Sequence, residues 1–226
     1  MSQEEIECPA SASELYLAAS PEEVEPARPM LTGDVFSGVT VPGTDGEEFA
    51  IVLTHPCSMR VDGVRLAERL LMVRVSLSDQ IPFKRWQTGY FKVMPLPGLM
   101  GAHYSARFDE MGLVKSADLS TAERVACMTP YGVNLLQQRF IWYLTRFLVP
   151  THRLGEVSET VFEEAEMEEE WVMQAIESGK DPGEAARTFH DWIRSSDESG
   201  ETRQDLLKEP QHRAGLRRQM RKHLRG

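Results

Sequence analysis

"GDVFSGVTVPGTDGEEFAIVLT", Gly33 to Thr54, is the stretch whose reading decides the fold class. Two runs rich in Val, Phe and Ile, "VFSGVTV" and "FAIVLT", flank the turn signal Asp45-Gly46, which is the pattern of a β-hairpin. Further short apolar runs broken by Gly, Pro and Asp follow it: "RLLMVRVSL", "FKVMPLP" and "AHYSARFD". Strands this short and this closely spaced predict a small barrel or sandwich. Beyond them the period changes. In "MTPYGVNLLQQRFIWYLTRFLVP", Met128 to Pro150, the residues Val133, Leu136, Phe140, Leu144 and Phe147 recur at spacings of three and four. Thr129 suits a cap, Pro130 suits a first turn and Pro150 ends the pattern. A helix packed on a barrel follows, so the expected class is α+β.

Four consecutive segments are expected: 1–29, 30–150, 151–201 and 202–226. Residues 1–29 hold seven acids against Arg28 and are rich in Ser, Ala and Pro, which predicts a largely disordered segment that docks at most through Leu15, Tyr16 and Leu17. After Pro150, "EVSETVFEEAEMEEEWVMQAIESG" carries Val157, Val161, Ala165, Val172 and Ile176 on one stripe. "DPGEAARTFHDWIRSS" opens with Asp181 and Glu184 as a capping box and is expected to bury Ala185, Phe189, Trp192 and Ile193. Past the linker "SSDESGE", a basic helix carries a thin apolar line, Leu216, Met220 and Leu224.

The 226-residue chain has a formal net charge of −10, which evenly spread would argue against nucleic-acid binding. It is segregated instead. Residues 156–201 hold fifteen acids against Lys180, Arg187 and Arg194, while 30–150 is nearly balanced with twelve Lys/Arg against eleven Asp/Glu. The stretch 202–226 has eight basic residues against Asp205 and Glu209. No run reaches the ~18 apolar residues of a membrane span, and no Lys or Arg precedes Arg28 as a signal peptide requires; a cytoplasmic protein with no membrane partner is expected. Cys8, Cys57 and Cys127 are widely spaced with no CxxC, which predicts neither disulfides nor structural zinc.

These pieces, in this order, resemble the MazF/PemK-like toxins, whose fold is an SH3-like barrel. "LTGDVFSGV" is similar to that family's first strand, "EEFAIVLTH" to its second, "LLMVRVSLS" to its third and "EMGLVKSADLS" to a later element that leads into a helix. The resemblance covers residues 31–150 and implies a ribonuclease lineage, in which an Arg at the start of the second strand and a Thr at the end of the third handle the scissile phosphate. Here the first place falls near Glu48-Phe49, where no Arg stands, and the second falls at Ser76. "VLTHPCSMR" is also similar to a branch of uncharacterised barrels whose second strand ends in "VLTxxCD", with Ser58 in place of the Asp.

The catalytic candidates are therefore Ser76, His55 and Cys57, and whether the chain is an enzyme stays open. In an extended strand His55 and Cys57 would share a face, but Pro56 turns the chain, and a Cys packed under the barrel rim is the competing reading. His55, Cys57 and His103 lack metal-ligand spacing, so neither metal nor cofactor is expected. Arg60, Lys84, Arg85, Trp86 and Lys92 form the candidate nucleic-acid-binding set, since cations interleaved with aromatics suit single-stranded RNA. One reading is an RNA-binding barrel, degenerate or unorthodox as an endoribonuclease. The other is a non-enzymatic accessory subunit of a bacterial toxin–antitoxin or phage-defence system, binding a protein through its acidic helices or basic tail. The tail could equally grip nucleic acid or the chain's own glutamates, the glutamates could lie over the barrel's cations as a competitor of RNA, and a homodimer is compatible with either reading.

Overall fold

The computed structural model describes residues 5–45, 48–62, 64–196 and 200–225, without the side chain of Glu48. The chain divides into two compact units, one of Met1–Val24, Leu31–Met59 and Leu66–Ser158, the other of Glu25–Met30, Arg60–Arg65 and Glu159–Gly226. This interleaving differs from the four consecutive segments expected.

In the first unit, β1 (Tyr16–Ala18), β2 (Val35–Val39), β3 (Glu48–Val52), β4 (Arg69–Leu77), β5 (Val93–Pro97), β6 (His103–Lys115) and β7 (Glu123–Met128) form one curled antiparallel sheet in the order β1-β7-β2-β3-β4-β6-β5. The α+β class is as expected. β2 and β3 pair as the hairpin read from their sequence, with Val35 opposite Ile51 and Phe36 opposite Ala50; Gly46 of the turn signal lies outside the described residues. Residues directly opposite in a ladder share a face. Ile51, Val73, Val75, Ala106, Met94 and Leu96 are thereby brought onto one face, and all are fully buried. Phe108 packs on Phe140 and Tyr143 of α2 (Pro130–Thr145), with ring centroids 5.5 and 5.7 Å apart.

Thr129 caps α2 as expected, its Oγ1 accepting from the Gly132 N–H at 2.9 Å. The helix stops at Thr145, where Arg146 turns left-handed with φ 64°. The expected stripe ends early: Leu144 in the last turn is 55% exposed, and Phe147, past the break, is 75% exposed.

From Glu5 onward the N-terminal segment is ordered where disorder was expected, and residues 1–4 lie outside the described residues. Ile6, Leu15 and Ala18 are buried, and β1 pairs with β7. Glu7 accepts from the Thr151 N–H at 2.8 Å and from Thr151 Oγ1 at 2.6 Å, which caps α3 (Thr151–Glu177). Glu7 also exchanges two hydrogen bonds with Gln138, backbone N–H to Oε1 at 2.8 Å and Nε2 to carboxylate at 3.1 Å. A composition argument misses this because every partner lies more than a hundred positions away.

The second unit gathers α3 from Glu159, α4 (Pro182–Arg194), α5 (Arg203–Leu207) and α6 (Pro210–Arg225). Asp181 caps α4 by accepting from the Glu184 N–H at 2.8 Å, and Ala185, Phe189, Trp192 and Ile193 are buried as the spacing predicts. Met167, Trp171, Val172, Leu216 and Met220 complete this core. Of the stripe expected on α3, Ala165 and Val172 are buried but Val157 and Ile176 are exposed, since Phe162 and Trp171 take the inward positions. The glutamate run is occupied within the unit: Arg213 pairs with Glu159, Arg217 with Glu163 and Glu166, Arg221 with Glu170, and Arg28 with Glu169. The tail's arginines thus contact the chain's own glutamates, one of the partners expected for it. Residues 197–199 of the linker lie outside the described residues. Among the described residues no helix is long and apolar enough to cross a membrane.

Candidate functional site

Between β4 and β5 the chain makes a loop that carries most of the cations of interest. Pro82 and Phe83 carbonyls accept from the Arg85 and Trp86 N–H groups at 2.8 and 2.9 Å, closing a 3-10 turn at Phe83–Arg85. Its last residue leaves Lys84 and Arg85 exposed and sends Trp86 inward. Trp86 is fully buried, its Nε1 donating to the Ile81 carbonyl at 3.3 Å, so its ring is closed to base stacking, contrary to the sequence expectation.

Beneath the loop sits Arg139 of α2, itself 1% exposed. Its guanidinium lies 5.5 Å from the Trp86 ring centroid and donates to three loop carbonyls, Nη1 to Trp86, Nη2 to Tyr90 and Nε to Val93, each at 3.0 Å. Burial pushes its pKa down to about 10, which leaves it charged at neutral pH. The planar fork explains why an Arg stands here: three donors in one plane match three convergent carbonyls, whereas an ammonium would not. Tyr90 has φ 57°, a left-handed backbone that costs a non-glycine residue of the order of 1 kcal/mol or more. The bond from Arg139 to its carbonyl helps hold it there. The result is a pinned loop presenting Lys84, Arg85, Tyr90, which is 45% exposed, and Lys92.

Ser76 lies on β4 opposite Ser105, with Pro95 of β5 across from that. By strand alternation Arg74 shares its face, as Arg107 shares that of Ser105. Arg74 and Arg107 converge on Glu110 at 2.9 and 2.8 Å, and Asp109 stands 3.6 Å from Arg107 and 4.0 Å from Lys92. An arginine therefore does accompany Ser76, two positions before it on the same strand rather than on the second strand. The sequence carries this pair as "RVS", Arg74 to Ser76, a strand spacing that places both on one face. Among the described residues Ser76 Oγ has no hydrogen bond to a side chain that could take its proton.

His55 and Cys57 do not make a nucleophilic pair. β3 ends at Val52, and Pro56–Met59 forms a single helical turn, α1, in place of the extended strand that would have aligned them. His55 Nδ1 accepts from the Cys57 backbone N–H at 3.2 Å, so that lone pair is not directed at the thiol. Burial lowers the His55 pKa, which favours the neutral ring. Cys57 is exposed rather than packed under a rim. Arg60 is half-buried, donates to the Met30 carbonyl at 3.0 Å and belongs to the second unit, whereas Lys84, Arg85 and Lys92 belong to the first. Among the described residues no cluster of three metal-ligating side chains occurs.

No protein family, curated protein or solved structure matches this chain.

Proposed function

We propose that the first unit is an SH3-like, MazF/PemK-like barrel that binds single-stranded RNA without cleaving it. The observation that carries this reading is the pinned loop. Lys84, Arg85 and Lys92 supply phosphate contacts, Tyr90 supplies one stacking surface, and Arg139 fixes the backbone that carries them before RNA arrives, so little backbone ordering entropy is lost on binding. Arg74 and Arg107 border the same strands, with Glu110 moderating their charge. Against cleavage stand the want of a proton acceptor at Ser76 and the misdirected imidazole at His55.

The test is fluorescence anisotropy with a labelled single-stranded RNA, together with a cleavage assay on the same RNA. K84Q/R85Q should lower the salt slope of log K by ~1.4, at ~0.7 per phosphate contact on a single strand. Tyr90→Ala should cost ~1–3 kcal/mol, as for one stacked base. Cleavage abolished by Ser76→Ala would refute the non-catalytic part, and wild-type affinity in both loop variants would refute the site. One observation favours the accessory-subunit reading instead, the exposure of Leu144 and Phe147 at the end of α2; a protein partner lost on Phe147→Ser, in a chain that ignores RNA, would establish it.

A further inference from the structure

Helix α6 carries two rows of cations that differ in what they face. Arg213, Arg217 and Arg221 recur every fourth residue and are neutralised by glutamates of α3. Arg221 grips Glu170 through both Nε and Nη2, at 2.6 and 3.1 Å, and Arg217 reaches Glu163 and Glu166 at 2.7 and 2.6 Å. With Leu216 and Met220 buried beside this row, the helix is fixed in rotation about its own axis. The second row is Arg218, Lys222 and Arg225. All three are exposed, and none has an ion-pair partner among the described residues.

At ~100° per residue these three fall within a sector of ~60°, centred on the side of the helix opposite Leu216 and Met220. At ~1.5 Å rise per residue they stand ~6 and ~4.5 Å apart along the axis. Complementing the helix dipole would account for Lys222 and Arg225, which lie in the last turn. It does not account for Arg218, which lies well before that turn.

We infer that this outward row is a docking surface for the phosphate backbone of a nucleic acid. The chemistry of its surroundings selects that partner over an acidic protein. Protein interfaces are centred on buried aromatic or aliphatic anchors, whereas the exposed neighbours of this row along α6 are Gln211, His212, Ala214, Gln219, Arg221 and His223; the cavity that Arg218 lines adds the carboxylate of Glu201 and two leucines, Leu206 half-buried and Leu216 buried. Phosphate contacts need only fixed cations at intervals along a strand. The paired row supplies the fixity, and its glutamates remove the charge that would otherwise compete for the same polyanion. The inference concerns the second unit and does not rest on the loop of the first.

The test titrates full-length protein into labelled single-stranded RNA, single-stranded DNA and duplex DNA, from about 50 to about 200 mM salt. The R218Q/K222Q/R225Q variant should show a salt slope shallower by ~2.1 on single strands and ~2.7 on duplex, so across that range its single-strand affinity falls ~18-fold less than that of wild type. Arg218→Gln alone should lower the slope by ~0.7 on single strands, which guards against a triple variant that melts early. RNA and DNA arms of equal slope identify the backbone itself as the ligand. An unchanged slope in the triple variant overturns the inference, as does tighter binding of polyglutamate than of any oligonucleotide, or no nucleic-acid binding by the wild type. K84Q/R85Q run in parallel separates the two sites: loss there alone leaves the loop reading standing and this one refuted, and loss in the α6 variant alone does the reverse.

Discussion

Replacing Arg139 by Met keeps much of the side-chain volume and removes all three donors under the loop. The carbonyls of Trp86, Tyr90 and Val93 would then be left unpaired, and a buried polar group without a partner costs about 1–3 kcal/mol. The lower end applies. The depressed pKa shows that desolvating the cation already offsets part of what its bonds return, and the Tyr90 segment is exposed enough for water to reach its carbonyl once the loop loosens. The expected loss is about 3 kcal/mol, or about 6–12 °C in melting midpoint for a chain of this size. Arg139→Lys should recover about one of the three bonds and lose about 2 kcal/mol. Chemical denaturation followed by tryptophan fluorescence reads the global effect, and amide hydrogen exchange over residues 86–93 reads the local one. If Arg139→Met unfolds within about 0.5 kcal/mol of wild type, with no faster exchange in the loop, the carbonyls do not depend on the guanidinium and the pinning argument fails.

Glu7→Ala should cost about 1 kcal/mol at neutral pH through loss of the α3 cap. Burial raises the Glu7 carboxyl, but hydrogen bonds from Thr151 and Gln138 outweigh it and the pKa ends below its ordinary value of 4.5, so this stability is present above pH 4.5 and lost as pH falls through the folded value; melting curves of wild type and variant should converge in acid, and a gap that persists there would contradict the assignment. Gly132→Ala should destabilise the first unit by about 2 kcal/mol or more, because a methyl there overlaps the Leu15 carbonyl, and a variant as stable as wild type would mean β1 is free to shift. Arg217→Ala, which breaks the middle of the α3–α6 ladder, should cost about 1 kcal/mol at low salt and less at high salt; a loss independent of salt would point to packing instead.

Local patterns carried the reading where the physics is local. The β2–β3 hairpin follows from two apolar runs around a turn signal, the α2 cap from Thr129 before Pro130, and the buried face of α4 from a 3.6-residue period. What escaped was set by partners distant in the chain. Arg139 looks like one more polar residue on a helix, and its role appears only once carbonyls 46 to 53 positions away converge on it. Trp86 read as a surface aromatic among cations because nothing in its neighbourhood reports that the chain turns inward there. Phe147 fits the α2 period, yet Arg146 breaks the helix before it in a conformation that its residue type does not announce. The α3–α6 ladder was half legible, since arginines spaced by four at 213, 217 and 221 match the glutamates at 159, 163, 166 and 170, but charge matching alone does not say which surface a tail will choose.

The interleaving of the two units separates the synthesis of contacting segments. Glu25–Met30 and Arg60–Arg65 are synthesised early, yet the rest of their unit begins at Glu159, and Arg28 finds Glu169 only after the whole sheet has been made. Helix α6 is made after everything it packs on, so Glu159, Glu163, Glu166 and Glu170 of α3 lack their arginine partners until Arg213, Arg217 and Arg221 leave the ribosome. A chain interrupted before residue 213 would carry a finished sheet and an open, self-repelling helical unit, and neither unit can be released intact from the other by a single cut.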